Sequence, residues 1–238
     1  MSAGIDWRIA EAQNSCLAGI EELVQLLQQA SNQIGEQRFV SLIGLLQTAH
    51  HAGRNLISGW SECDVPLLAW AARNSLEVSI WVKYVMQSES NTERFYHDWL
   101  NDAEETMRRS IQLDQFEGVN WKSDSVYADM GYDVSAPVKA TAHINALRRE
   151  NHFPSQKRLD IGRIAKDVGE GDVFSELNPI LSKFIHATSY SVLSFPTDES
   201  KQRTGLMFLD RGFWNLIKTV GIVDTFLKAK NLPTLGLA

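Results

Sequence analysis

Arg73 and Glu77 lie four residues apart, so on a helix their side chains are neighbours. A guanidinium steadied by a carboxylate is prepared to hold an anion, because its planar fork matches carboxylate or phosphate through two bonds at once. The alternative is an ion pair that only fixes helix register. Burying such a pair adds little stability, since desolvation largely offsets the attraction. His186 is the second candidate. On a helix Ser182, four residues before it, and Ser189, three residues after it, share its face, and Ala187, Thr188 and Ser191 keep the neighbourhood small and hydroxyl-rich. Histidine titrates near neutral pH and suits acid–base chemistry, although a lone histidine also serves as a hydrogen-bonded packing residue.

Other chemistries lack their residues. There is no Glu-x-x-His for a carboxylate di-metal bundle and no His-Glu-x-x-His for a zinc peptidase. No phosphate-cradling glycine loop and no Gly-x-Ser-x-Gly elbow occurs. No metal or cofactor is expected. His50 and His51 point about 100° apart on a helix, so they cannot serve one site together. His97, Asp98 and Asp102 sit on a charged stretch that reads as a solvated face. The basic residues from Arg148 to Lys166 are diluted by Glu150, Asp160 and Asp167 and read the same way.

Arg73 and Glu77 are carried by Val65 to Met86, a stretch apolar all the way round and so expected as a central helix enclosed by neighbours. Asp64 and Pro66 mark its start. Trp70, Ile80, Trp81 and Tyr84 are assigned to the face that bears the pair. Before it come an amphipathic helix from Ile5 to Ser31 and another from Glu36 to Gly59, in which Gly44 and Gly53 suggest close helix approach and Gly59 a frayed end. Ser90 and Glu93 have capping-box spacing for a fourth helix reaching Leu113. Residues 115–136 lose periodicity and are expected as a long loop or lid. Short helices follow over 139–150 and 156–168. The Gly169-Glu170-Gly171 turn breaks the second, and Asn178-Pro179 opens the helix that bears His186, running to Ser194. The last helix spans Met207 to Lys228, with Phe208, Phe213, Trp214, Ile217 and Leu227 among its apolar set. Residues 232–238 are expected as a loose tail.

The fold class expected is all-α, a single-domain helical bundle of about seven or eight helices, since two-residue alternation is absent. At 238 residues there is length for a sizeable core. The net charge of −6 argues against general nucleic-acid binding. Cys16 and Cys63 stand far apart without a Cys-x-x-Cys pair, which fits a reducing compartment. Asp6, Arg8 and Glu11 interrupt any leader, and no run of about 18 uncharged apolar residues occurs. A cytoplasmic location away from membranes is expected.

Two segments resemble a family of uncharacterised all-helical bacterial proteins, a domain of unknown function. The first is a Leu-Leu-x(4)-Arg-x(3)-Glu-x(5)-Lys-Tyr pattern, here Leu67, Leu68, Arg73, Glu77, Lys83 and Tyr84. The second is a Ser-x(3)-His-[small]-[Ser/Thr] pattern, here Ser182, His186, Ala187 and Thr188. Phe174 and Asn178 stand where tyrosines belong in that pattern. The resemblance implies that Arg73, Glu77 and His186 belong together in one polar pocket. In that reading Arg73 binds an anionic group, Glu77 orients it and shares the catalytic role with His186, Tyr84 donates a hydrogen bond and Ser182 fixes the His186 ring. The ligand would be a small anion, and the chemistry hydrolysis or transfer on a nucleotide or nucleic acid in stress or defence. The alternative is a non-catalytic module whose polar group only specifies packing and whose surface binds a protein partner or a second copy.

Overall fold

The computed structural model describes residues 3–116, 158–186 and 197–236, together with Ala142, Ala146 and Arg149. Among the described residues there are eight helices and no strand, so the fold is all-α. They are α1 (Ala3–Gln29), α2 (Ser31–Ile34), α3 (Glu36–Ser61), α4 (Val65–Gln87), α5 (Glu89–Phe116), α6 (Ile161–Asp167), α7 (Gly171–Ile185) and α8 (Asp198–Ala229). No helix among the described residues is long and apolar enough to cross a membrane. The chain falls into two compact units, one of Met1–Glu93 with Asp160–Ala238 and one of Arg94–Leu159.

In the first unit α4 is the centre, packed against α3, α6, α7 and α8, while α1 lies on α3 and α8. Its start is the one the sequence sets: Asp64 accepts from the Leu67 N–H at 2.9 Å, and Pro66 occupies a first-turn position where its missing N–H costs nothing. Leu23, Leu46, Leu56, Leu76, Ile80 and Phe208 are fully buried, each contributing roughly 1.5–3 kcal/mol of hydrophobic stabilisation. The helices approach closely at two glycines. A Cβ on Gly53 would stand 2.5 Å from a Leu17 methyl, and one on Gly212 would stand 2.5 Å from a Leu56 methyl. Gly44 faces open space, so close approach is not its role, and Gly59 is buried against Leu68 inside α3 rather than frayed.

Several boundaries differ from the sequence reading. Ser88 caps α5, accepting from the Asn91 N–H at 3.0 Å, so the Ser90–Glu93 box is not what starts this helix. α6 begins at Ile161 rather than 156, capped by Asp160 through the Arg163 N–H at 2.8 Å. α7 begins at Gly171, and Pro179 lies inside it. α8 begins nine residues before Met207, at a capping box of Thr197 and Ser200. The C-terminal segment is held through residue 235: Leu232 is buried, and Asp224, itself buried, accepts from the Leu235 N–H at 2.6 Å. Beyond Phe116 the expected loop or lid lies outside the described residues, as do most of 139–150 and all of 187–194.

In the second unit, His97 is buried edge-on to Tyr96, Asp98 accepts from the Leu159 N–H at 3.1 Å, and Asp102 pairs with Arg158 at 2.8 Å. His97 therefore lies off the solvated face expected of it and Asp98 is half-buried, whereas Asp102 is exposed. Burial pushes the Asp102 carboxyl above its usual range, with Arg158 pulling it down and Asp98 pushing it up.

Candidate functional site

Arg73 and Glu77 form the ion pair their spacing predicts, Arg73 Nε donating to Glu77 Oε1 at 2.9 Å. A third partner comes from 109 residues away: Arg73 Nη1 donates to Ser182 Oγ on α7 at 3.3 Å. The guanidinium is thus held on two sides by two helices. The side chains of Arg73 and Glu77 are 32% and 26% exposed, so the expected buried Arg–Glu pair in an interior pocket is a half-buried pair at the α4–α7 seam. Trp70, one turn earlier, is exposed with its ring edge-on to His51, because the side of α4 that bears it is uncovered while Ala69, Ala71 and Ala72 are buried on the other sides. Arg73 Nη2 donates to no described residue, which leaves one edge of the fork available.

His186 and Tyr84 are the two remaining sequence candidates. His186 is the C-cap of α7, exposed, with extended backbone (φ −96°, ψ 146°) and its N–H directed at the Ser182 carbonyl at 3.4 Å. It is not a mid-helix residue, because α7 begins seven residues earlier than Asn178-Pro179 implies and ends at Ile185. The Ser182 hydroxyl meets Arg73, which replaces the expected role of fixing the His186 ring. Tyr84 is buried, edge-on to Trp81 at 6.1 Å. It lies eleven residues from Arg73, about 16 Å along the helix axis, so it does not share the Arg73 cluster.

A second charged cluster on the same helix was not singled out by the sequence. Glu170 is buried, and its two carboxylate oxygens are divided between two lysines: Oε1 accepts from Lys83 of α4 at 2.9 Å and Oε2 from Lys218 of α8 at 2.7 Å. Burial alone would push the Glu170 carboxyl up; the hydrogen bonds and charges of Lys218 and Lys83 outweigh it and hold the carboxyl below its usual range. The turn that presents Glu170 depends on its flanking glycines. Gly169 adopts φ +75°, a left-handed conformation that a side chain disfavours, and a Cβ on Gly171 would stand 2.8 Å from Lys166 Cγ. The turn read as a mere helix breaker is therefore what aims the carboxylate inward. The only signal in the sequence was an acid between two glycines, with nothing to say which lysines it would meet.

These lysines line a groove of about 670 Å³ together with Met86, Ile222, Thr225 and Phe226. Each ammonium carries three donors and uses one on Glu170, so donors remain beside an apolar wall. One carboxylate between two ammonium groups leaves an excess positive charge. Phe226, one wall of this groove, is itself met by Arg38, a buried residue with no place in the sequence analysis. Its guanidinium lies 5.5 Å from the Phe226 ring centre, donates through Nε to Thr92 Oγ1 at 3.1 Å and pairs with the exposed Glu89 at 2.5 Å.

Among the described residues no group of three or more His, Cys, Asp and Glu side chains is placed to hold a metal ion. Of the basic stretch, Arg149, Arg158, Arg163 and Lys166 are exposed. No protein-family model, curated protein or solved structure matches the chain.

Proposed function

We propose that this all-helical protein binds an organic anion with an apolar body in the groove between α4 and α8. Lys83 and Lys218 would hold the anionic head, Glu170 would keep both ammonium groups in place, and Met86, Ile222 and Phe226 would cover the body. The observation that carries this reading is the buried Glu170 carboxylate divided between two lysines that are only about a third exposed, at the edge of an apolar groove. Such a cluster contributes little to stability for the charge it desolvates, while an excess cation beside an apolar wall complements a carboxylate or phosphate on a hydrophobic body. A binding protein of this kind is consistent with a cytoplasmic location.

A second reading keeps the anion at Arg73, favoured by the unused Nη2 edge and by the fixing of the guanidinium from two helices. On it Glu77 orients the guanidinium and the exposed His186 contacts the ligand or transfers a proton.

Thermal unfolding with octanoate, AMP and inorganic phosphate, each at millimolar concentration, tests both. A probe present at about 100 times its Kd adds about 2.7 kcal/mol, which raises Tm by roughly 5–10 °C for a chain of this length. The groove reading expects a shift from octanoate or AMP that Lys83→Met and Lys218→Met each remove and Arg73→Lys leaves in place. The opposite pattern of losses supports Arg73. A shift from none of the three overturns both readings.

A further inference from the structure

The α8 surface turned away from the core carries an apolar stripe at helical spacing. Met207, Trp214 and Ile217 are 41%, 59% and 51% exposed, and Asp210 stands among them with its side chain 70% exposed. The sequence reading placed Trp214 and Ile217 in the apolar set of this helix; the structure puts both outside. Exposed large apolar side chains gathered on one helix mark an interaction surface rather than ordinary surface scatter.

The stripe's spacing is its own mirror. Positions 207, 210, 214 and 217 are separated by three, four and three residues, symmetrical about residue 212. Laid antiparallel on a second copy about a two-fold axis there, Met207 meets Ile217 and Asp210 meets Trp214, and each pairing occurs twice. A two-fold interface requires this kind of self-complementarity. The chemistry agrees: the indole N–H is a donor without an acceptor function, and the carboxylate accepts only.

A second observation points to the same face. Gln13 of α1 is 6% exposed, and its Nε2 is buried without a hydrogen-bond partner among the described residues. It lines a groove of about 240 Å³ between α1 and α8, walled by Leu206, Asp210, Phe213 and Trp214. That is smaller than the usual pocket for a small-molecule ligand, at roughly 300 Å³ and above, and on the scale of a partner's side chains.

We infer that the protein associates with a second copy of itself through α8. Across the two-fold, each copy's Asp210 accepts from the other's Trp214 indole N–H, and each pair of Met207 and Ile217 closes the rim. One helical stripe is a small contact by the standard of permanent dimers, so the association is weak and depends on concentration.

Sedimentation velocity of the full chain, from micromolar up to about 1 mM, tests this. The parent chain is expected to pass from monomer to dimer over that range. Trp214→Ala is expected to weaken association by about tenfold or more, as truncation of an aromatic anchor does. Ile217→Asp, which places two like charges in the contact, is expected to abolish it. Both positions are exposed, so far-UV circular dichroism and Tm should match the parent. Asp210→Asn should weaken association less than Trp214→Ala, since the amide oxygen still accepts. A parent that stays monomeric throughout, or a dimer that Trp214→Ala and Ile217→Asp leave intact, overturns the inference. In the second case the dimer uses another face.

Discussion

The two charged clusters on α4 are built in opposite ways. Arg73 meets Glu77 one turn away on its own helix, and the tertiary fold adds one hydroxyl, Ser182. Glu170 meets Lys83 and Lys218 from two other elements, 87 and 48 residues away in sequence. The charged pair of the first is about a third exposed, much like the two lysines of the second. The second has a buried carboxylate at its centre. The difference teaches where cost and constraint lie. An i, i+4 pair forms wherever the helix forms and contributes a few tenths of a kcal/mol. A cluster assembled from three elements exists only if the whole bundle folds, and removing its centre leaves two cations without their partner.

Glu170→Gln should give the largest effect on this contrast. It leaves Lys83 and Lys218 facing a neutral amide in a half-buried site. Breaking a buried pair costs about 3–5 kcal/mol, and with both lysines partly exposed roughly 2 kcal/mol is expected here. That is a fall in Tm of about 4–8 °C. If Glu170→Gln melts with the parent, the cluster holds nothing together and the contrast disappears.

Acid should erase that difference. The Glu170 carboxyl is held below its usual range, so its stabilisation is complete above the unfolded value for glutamate, about 4.3, and is lost as pH falls through the lower folded value. The gap in Tm between the parent and Glu170→Gln should be constant near neutrality and close progressively below about pH 4.5. A gap that survives to pH 2 would mean the substitution acts through packing rather than charge.

The Arg73 cluster should respond less. Arg73→Lys keeps the charge and loses the fork that reaches Glu77 and Ser182 together, at an expected cost under about 1 kcal/mol for so exposed a pair. Ser182→Ala should cost about 0.5–1.5 kcal/mol, one hydrogen bond. A double-mutant cycle between Arg73→Ala and Ser182→Ala sharpens the comparison: a coupling near zero would make the α4–α7 contact incidental, and a coupling above about 1 kcal/mol would bring it level with the Glu170 cluster.

Much of the frame was legible in the chain. The caps and spacing of α3 and α4 agree with the structure within two residues, because Asp64, Pro66 and a 3.6-residue apolar period act locally. Asn178-Pro179 resembles a helix start but sits inside α7, which begins seven residues earlier. His186 is an exposed cap rather than a helix-interior residue because α7 ends at Ile185. The start of α8 lies at the Thr197–Ser200 capping box, nine residues before the apolar run beginning at Met207, because the cap and not the apolar period sets where the helix begins. The burial of His97 is not legible, because its charged neighbours on α5 do not reveal that its own face is covered. Of the candidate site, the Arg73–Glu77 contact was legible, since it depends on spacing alone.

The sequence by itself determined an all-α chain and a central helix with Arg73 beside Glu77, since both follow from helical periodicity acting over a few residues. Tertiary structure alone decided that Ser182 would meet Arg73, that a glycine-flanked acid would gather two distant lysines beside an apolar groove, and that Trp214 would face outward while Tyr84 was enclosed. Periodicity says which residues share a helix face. Which face another helix covers depends on packing between segments far apart in the chain, and no local spacing encodes it.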